Sequence, residues 1–313
     1  MLREKCSCSV RVFHELARDS QRPLSLAIGF FDGFHIGHRA IARRTLQMRR
    51  PGWRSGVLTF AQHPSAFLRP GQEPPLLDTP EERLNRFAGA GFEECFFVTF
   101  DDRIARLTPQ DFLDVLVDRL HVGAVAVGRT FRFGHRRAGD AQTMAEDFLR
   151  RDVAFSPVAN VTSDGERISS TRIRSLVAEG DLASADRLLG GEGYAIRGTI
   201  ELGAGRGHGL GFPTANVKPP QKLLPKDGVY SGVARYDGRD RAALVSIGTN
   251  PQFGGERRTV EAWLRDFHQT IYGEQLALRE LRYVREQRRF DGVEALVEQM
   301  QRDLQAVPFP AYG

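Results

Sequence analysis

The chain changes texture once along its length. From residue 24 to 158, short apolar strands alternate with helical segments; from 194 to 285, strand follows strand with no helix between. Neighbouring parallel strands need a crossover, usually a helix, whereas consecutive antiparallel strands need only turns. A chain carrying both textures is expected to form two domains: an α/β parallel sheet, then a small closed antiparallel barrel. The apparent break is the run GGEG at 190–193, which places the domains at 1–188 and 189–313.

In the first part, LSLAIG (24–29), SGVLTF (55–60), CFFVTF (95–100), AVAVG (124–128) and VAFSPV (153–158) read as strands. Helices are expected from Ile36 to Arg49, after Thr79-Pro80-Glu81-Glu82, after Thr108-Pro109-Gln110-Asp111, and over 141–151. In both Thr-Pro starts the threonine caps and the proline takes the first helical position. The helix after Thr108 carries Phe112, Val115, Leu116 and Leu120 on one stripe. In the second part YAIRGTIELG, GVYSGVARY, RAALVSIG, TVEAWLRDF and LALRELRYV read as barrel strands, and a final amphipathic helix, Asp291 to Leu304, is expected to pack outside them.

At 313 residues and 41% hydrophobic, the chain is long enough for two ordinary cores. It has no apolar run of membrane-spanning length, and MLREKCSCSVRVFHELA lacks the pattern of a secretory signal. Cys6 and Cys8 resemble half a metal site, but no second ligand pair has suitable spacing. With Cys95 they make an odd number, which points to a reducing, cytoplasmic setting. The net charge is +5, yet Lys5, Lys218, Lys222 and Lys226 are the only lysines, and arginines intermix with acids along the helices. No like-charge block or basic tail suggests a nucleic-acid partner.

Ligands of a parallel α/β sheet bind beyond the carboxyl ends of its strands. There lies Gly29-Phe30-Phe31-Asp32-Gly33-Phe34-His35-Ile36-Gly37-His38. Gly33 and Gly37 allow close backbone approach to a phosphate, and free amides at a helix start favour anions. His35 and His38, three apart, share one helix face and are placed to hydrogen-bond a phosphoryl group as its charge redistributes. Attack on the α phosphate of ATP with loss of pyrophosphate needs in-line positioning, charge stabilisation and usually magnesium. Three later segments are candidates for the same ligand. Thr59 to Pro64 ends a strand and offers His63, as a pocket residue or a structural one. Val127 to Gly134 offers Thr130, Phe131 and Phe133 as a ring-binding wall. Ser169 to Arg174 opens a short helix whose Ser170, Thr171 and Arg174 suit a triphosphate, or merely cap and solvate it.

The second phosphate-type loop, Gly209-Leu210-Gly211-Phe212-Pro213-Thr214-Ala215-Asn216, has no helix behind it. A phosphate there must be held by loop amides, a hydroxyl and a cation. Thr214 and Asn216 offer oxygens at alternate positions, suited to magnesium. Glu261, in Thr259-Val260-Glu261-Ala262-Trp263-Leu264, faces away from Val260 and Ala262 by the two-residue period. It is either a solvated face residue or a base for an alcohol attacking the γ phosphate.

Taken in order, these segments resemble the bacterial bifunctional riboflavin kinase/FMN adenylyltransferase (FAD synthetase) family, over residues 20 to 305. Gly29–His38 resembles the adenylyltransferase motif, Leu210–Asn216 the kinase's Pro-Thr-Ala-Asn signature, and Ser246–Phe253 with Glu261 the stretch leading to its catalytic glutamate. The resemblance implies a nucleotidyltransferase-like (Rossmann-like) domain followed by a riboflavin kinase barrel. It implies two reactions: riboflavin and ATP to FMN and ADP, then FMN and ATP to FAD and pyrophosphate. Glu261 would be the kinase base, with Gly211, Pro213, Thr214 and Asn216 at the magnesium–nucleotide. His35, His38 and Arg174 would surround the adenylyl-site phosphates with Gly29, Phe31, Asp32, Gly33, Gly37, His63, Ser170 and Thr171. Thr130, Phe131 and Phe133 are the flavin candidates, and a monomer or weak homo-oligomer is expected. Phe30, Thr130, His208 and Trp263 depart from the family pattern; Thr130, a short hydroxyl where the resembled family has an aspartate or asparagine, either leaves a contact unfilled or is compensated by a nearby polar group, with Arg129 the candidate. The rival readings are a kinase with an impaired first domain and a non-enzymatic flavin or nucleotide sensor. A base and two histidines argue against the sensor, because mere binding needs neither.

Overall fold

The computed structural model describes residues 10–202, 214–249, 258–267, 269–288 and 293–306. The chain divides into two compact units, Met1–Ser170 and Thr171–Gly313.

The first unit contains β1 (Arg11–Phe13), β2 (Leu24–Ile28), α1 (Ile36–Met48), β3 (Arg54–Phe60), α2 (Pro64–Leu68), α3 (Pro80–Gly89), β4 (Glu94–Val98), α4 (Asp102–Arg106) and α5 (Pro109–Asp114). There follow β5 (Val122–Gly128), the short pair β6 (Arg132–Phe133) and β7 (Gly139–Asp140), α6 (Ala141–Arg150), β8 (Ala154–Val158) and the hairpin β9 (Thr162–Ser163) and β10 (Glu166–Arg167). A six-stranded sheet runs in the order β1-β4-β3-β2-β5-β8, and every pairing in it is parallel. The chain therefore winds one way from β2 to β4 and the other way through β5 and β8. The strand order reverses between β2 and β5, where an open α/β sheet leaves a crevice for ligands.

Each face of the sheet has its own core. Leu24, Leu26 and Ile28 of β2 pack on one side with Phe112, Leu116, Met144 and Phe148. Ala27, Val57, Cys95 and Ala126 face the other side with Ile41 and Phe87. The sequence did not show α2, α4 or the short β6–β7 and β9–β10 pairs, and two further features also escaped it. β1 is only three residues long and pairs with β4, too short to show a period. The helix expected to run regularly through Leu120 is α-helical only to Asp114 and continues as a π-helical turn, Val115–Arg119. There Leu120 N–H donates to Val115 O at 3.1 Å. The i→i+5 pattern rotates side chains off a 3.6-residue stripe, so Leu113 joins the core while Val115 is only half-buried.

α7 (Ser170–Glu179) begins at the division between the units, and α8 (Leu182–Leu189) belongs to the second. The barrel strands are β11 (Ala195–Glu201), β12 (Thr214–Val217), β13 (Gly228–Tyr236), β14 (Arg239–Thr249), β15 (Arg258–Leu264) and β16 (Gln275–Arg285), followed by α9 (Val293–Ala306). They close in the order β11-β12-β15-β14-β13-β16, with β16 pairing back to β11. Ile196, Val217, Val245, Val260, Leu264, Leu276 and Leu278 are buried. The Thr214–Asn216 stretch, expected as loop, is instead the start of β12, paired with β15. The strand is too short to stand out beside a glycine-rich run, and it exists because β11 and β15 both need a partner to close the barrel. Asp303 of α9 accepts Arg285 Nη2 of β16 at 2.7 Å, and it is 4% exposed, which fixes the last helix to the barrel.

Candidate active sites

In the first unit, β2 stops at Ile28 and the chain reaches α1 through a strained turn: Phe31 (φ 57°), Gly33 (φ 78°) and Phe34 (φ 36°) are all left-handed. Non-glycine residues persist there only when surroundings over-determine them. The Phe31 and Phe34 rings are buried in the core beneath α1, each packed edge-on against Phe87. Phe31 thus supports the loop from below, with His38 5.2 Å from its ring. A Cβ on Gly29 would lie 3.0 Å from the Phe31 ring, a tight contact that the ring would have to relieve.

His35 caps α1. Its Nδ1 accepts His38 N–H at 3.2 Å, which in the neutral imidazole puts the ring proton on Nε2. The two rings stack with centroids 3.6 Å apart, so the histidines nominated for phosphate contact form one unit at the head of the helix. A Cβ on Gly37 would come within 3.1 Å of the His35 ring. Asp32 is 1% exposed, and its carboxylate accepts the N–H groups of Leu77 and Asp78 at 2.9 to 3.1 Å. That carboxylate anchors the loop to the approach of α3. Ser170 Oγ donates to Asp32 O at 2.9 Å, bringing the start of the Ser-Ser-Thr segment to the loop. Thr171 and Arg174 lie along α7 in the second unit, where Thr171 is exposed and Arg174 half-buried. His63 caps the five-residue α2 through Ser65 N–H and sits edge-on to Phe30, with centroids 4.9 Å apart.

After β5, a cavity of about 960 Å³ opens, with Thr130, Phe131, Ala145, Leu149, Phe155 and Pro157 among its lining. Its surface is largely hydrocarbon, suited to a flat apolar ring. Of the three flavin candidates, Thr130 and Phe131 line this cavity. Phe133 lies behind, 6% exposed, stacked on Phe131 and packed 5.4 Å from Phe112. Sequence reasoning missed Arg167, whose Nη2 donates to Thr130 Oγ1 at 3.2 Å across 37 residues. No local pattern marks one arginine among so many.

In the second unit, strand register assembles the site. Asn216 of β12 stands opposite Glu261 of β15, and Thr214 opposite Trp263. On the far side of β15, Ser246 of β14 is also opposite Glu261. Directly opposed residues share a face, so Thr214, Asn216, Glu261, Trp263 and Ser246 project from one side. Val217, Val260 and Ala262 take the buried side. Gln287 Nε2 donates to Ser246 Oγ at 2.9 Å, holding that row at its edge. Gly211, Pro213, His208 and the stretch 250–253 lie outside the described residues, as do Cys6 and Cys8. Cys95 is a free, buried thiol whose pKa burial pushes up to about 12. Among the described residues no group of three or more His, Cys, Asp or Glu is arranged to hold a metal ion, and no helix is long and apolar enough to cross a membrane.

A parallel sheet with a histidine-capped, glycine-containing loop at its switch point, joined in one chain to a closed barrel with a carboxylate opposite a Thr-x-Asn strand, is an architecture suited to a two-site phosphate-transfer protein. The family model described as FAD synthetase matches residues 17–172, and that described as riboflavin kinase matches 190–308. The bifunctional riboflavin kinase/FMN adenylyltransferases of Listeria monocytogenes and Bacillus subtilis are each 33% identical to the chain, covering 95% and 93% of it and 96% and 94% of their own lengths. That of Escherichia coli K12 is also 33% identical, over 94% of this chain and 95% of its own. The crystal structure of a macrolide-efflux protein from Streptococcus pneumoniae matches with a TM-score of 0.84 at 28% identity, covering 95% of this chain and 98% of that one. The chain belongs to the bifunctional riboflavin kinase/FMN adenylyltransferase family.

Proposed function

We propose that the barrel phosphorylates riboflavin with ATP to give FMN and ADP, and that the parallel-sheet unit transfers AMP from a further ATP to FMN, giving FAD and pyrophosphate. The observation that carries the reading is that each unit brings its own phosphate-handling motif to one face. The first does so with the stacked His35–His38 pair at the head of α1, the second with Asn216 and Glu261 in register across β12 and β15.

In the kinase reaction, the Glu261 carboxylate takes the proton of riboflavin's terminal hydroxyl as its oxygen attacks the γ phosphorus and the bond to ADP breaks. The Thr214 hydroxyl and the Asn216 amide oxygen are hard donors on the same face and fit magnesium, which keeps few protein ligands when phosphates supply the others. When bound, that ion would offset charge on the ATP phosphates. Gly211 and Pro213 are assigned to the nucleotide on sequence alone. In the adenylyl transfer, an FMN phosphate oxygen attacks the α phosphorus and pyrophosphate leaves. His35 and His38 donate to the phosphoryl oxygens, and the amides around Gly33 and Gly37 hold the triphosphate, with His63, Ser170, Thr171 and Arg174 as its further contacts. The flavin ring occupies the cavity beside Thr130 and Phe131. We place both reactions in the cytoplasm, consistent with the free, buried Cys95 thiol.

The test is purified protein with riboflavin and Mg-ATP, resolving products by chromatography. FMN and FAD should appear in sequence. FMN without FAD would leave only the kinase half of the reading, and neither product would overturn both.

A further inference from the structure

Among the described residues the largest fully buried side chain is a cation, Arg83 of α3. Its Nη1 donates to Phe30 O at 2.9 Å, and its Nη2 donates to Phe60 O at 2.8 Å and Ala61 O at 2.9 Å. Thr59 Oγ1, at the end of β3, donates to the same Phe30 carbonyl at 2.9 Å. The guanidinium also lies over the rings of Phe30 (4.6 Å) and Phe97 (4.9 Å). Phe30 sits in the strained turn, and Phe60 and Ala61 begin the segment that ends at His63. One guanidinium therefore ties the ends of β2 and β3, the two strand ends that present His35, His38 and His63.

Stability alone is a poor reason for such a residue. A buried arginine is permanently charged, and an apolar side chain of similar volume often serves a core as well or better. No carboxylate lies within ion-pair distance of Arg83 among the described residues, and its Nε has no hydrogen-bond partner there. What the guanidinium provides is geometry: a planar fork that reaches carbonyls of two strands at once. The same helix approach grips the turn a second time through Asp32 and the Leu77 and Asp78 amides. Asp78 in turn is held by Arg86 of α3 at 2.8 Å. A turn with two non-glycine left-handed residues needs such restraint.

We propose that Arg83 is a positioning residue of the adenylyl-transfer site, holding the Phe30 turn and the Phe60–Ala61 strand end in the register that presents the histidines to the ATP phosphates. The Phe30 ring is the packing surface for that cation and for His63. This inference rests on the adenylyltransferase reading. A misplacement of about 1 Å in such a site costs on the order of 100-fold in rate.

The test uses the full chain carrying Arg83→Met, with Arg83→Lys as the conservative variant. Four readouts are taken well below the unfolding temperature: FAD formation from FMN with ATP varied, FMN affinity by flavin fluorescence, riboflavin phosphorylation, and thermal unfolding. Arg83→Met should lower kcat/KM for ATP in FAD formation by roughly 100-fold. FMN affinity should hold, because the cavity beside Thr130 is built by other elements, and riboflavin phosphorylation should hold. Arg83→Lys should recover much of the loss, since an ammonium still reaches some of the carbonyls. Unchanged kcat and KM in the folded Met variant, with only a lower unfolding temperature, would make Arg83 purely structural and overturn the proposal. If the Met variant does not fold, Arg83→Gln, which keeps an amide donor but cannot reach the carbonyls of both strands at once, decides: altered ATP kinetics at constant FMN affinity supports positioning, and wild-type kinetics refutes it. Wild-type protein that makes no FAD would instead overturn the adenylyltransferase reading itself, and the positioning role with it.

Discussion

In the proposed assignment Glu261 and the His35–His38 pair carry separable chemistry, because they sit in different units. Glu261→Gln keeps the side chain's size and removes the base, so FMN formation should fall by about 100-fold or more while added FMN is still converted to FAD. Changing both histidines to alanine should do the reverse. Assays of each half-reaction on both variants check this, and a parallel fall in the two activities with folding intact would contradict two sites. At Thr130, the structure favours a compensated contact over an unfilled one, through Arg167 rather than Arg129. The hydroxyl already accepts from Arg167, a hydrogen bond of about 1 kcal/mol net. Thr130→Asn should therefore leave adenylyltransferase kcat/KM essentially unchanged. A gain of several-fold in steady-state kinetics would show that the Arg167 contact does not compensate.

Elements legible in the sequence were those with strong local signals. The two Thr-Pro starts become α3 and α5, each with a closed capping box, and the apolar runs become β2 to β5. Elements made by their neighbours were not legible: β1, β12 and the π-helical turn have no pattern of their own. The barrel also depends on close approach at several glycines, tightest against backbone at Gly198. Gly198 of β11 has no room for a side chain, since a Cβ would lie 2.3 Å from the carbonyl oxygen of Lys218. Backbone cannot yield there as a flexible side chain would. Gly198→Ala should destabilise the barrel by about 1–3 kcal/mol, lowering its unfolding midpoint and spoiling FMN formation before FAD formation from FMN. An unaltered thermal transition would mean that the strands separate more easily than this packing implies.

For the molecule as a whole, the two units predict that kinase activity travels with the second. α8 is part of that unit: Leu182, Ala185, Leu188 and Leu189 are buried, Asp186 accepts Tyr194 N–H at 2.8 Å, and Arg282 of β16 donates to Asp186 at 3.1 Å. A fragment starting at residue 171 keeps α8 whole, and it should fold and phosphorylate riboflavin without making FAD. A folded fragment without kinase activity would defeat the claim that the units work independently. The sequence by itself determined the two textures and nominated the two glycine-containing loops and Glu261, because strand period, caps and glycine-rich turns act over a few residues. Only the tertiary structure decided which side chains share a face. Asn216 meets Glu261 through barrel register, and Arg167 meets Thr130 and Arg83 meets Phe30 across dozens of residues. Such pairings depend on closure and packing of the whole unit, and no local pattern in the chain encodes them.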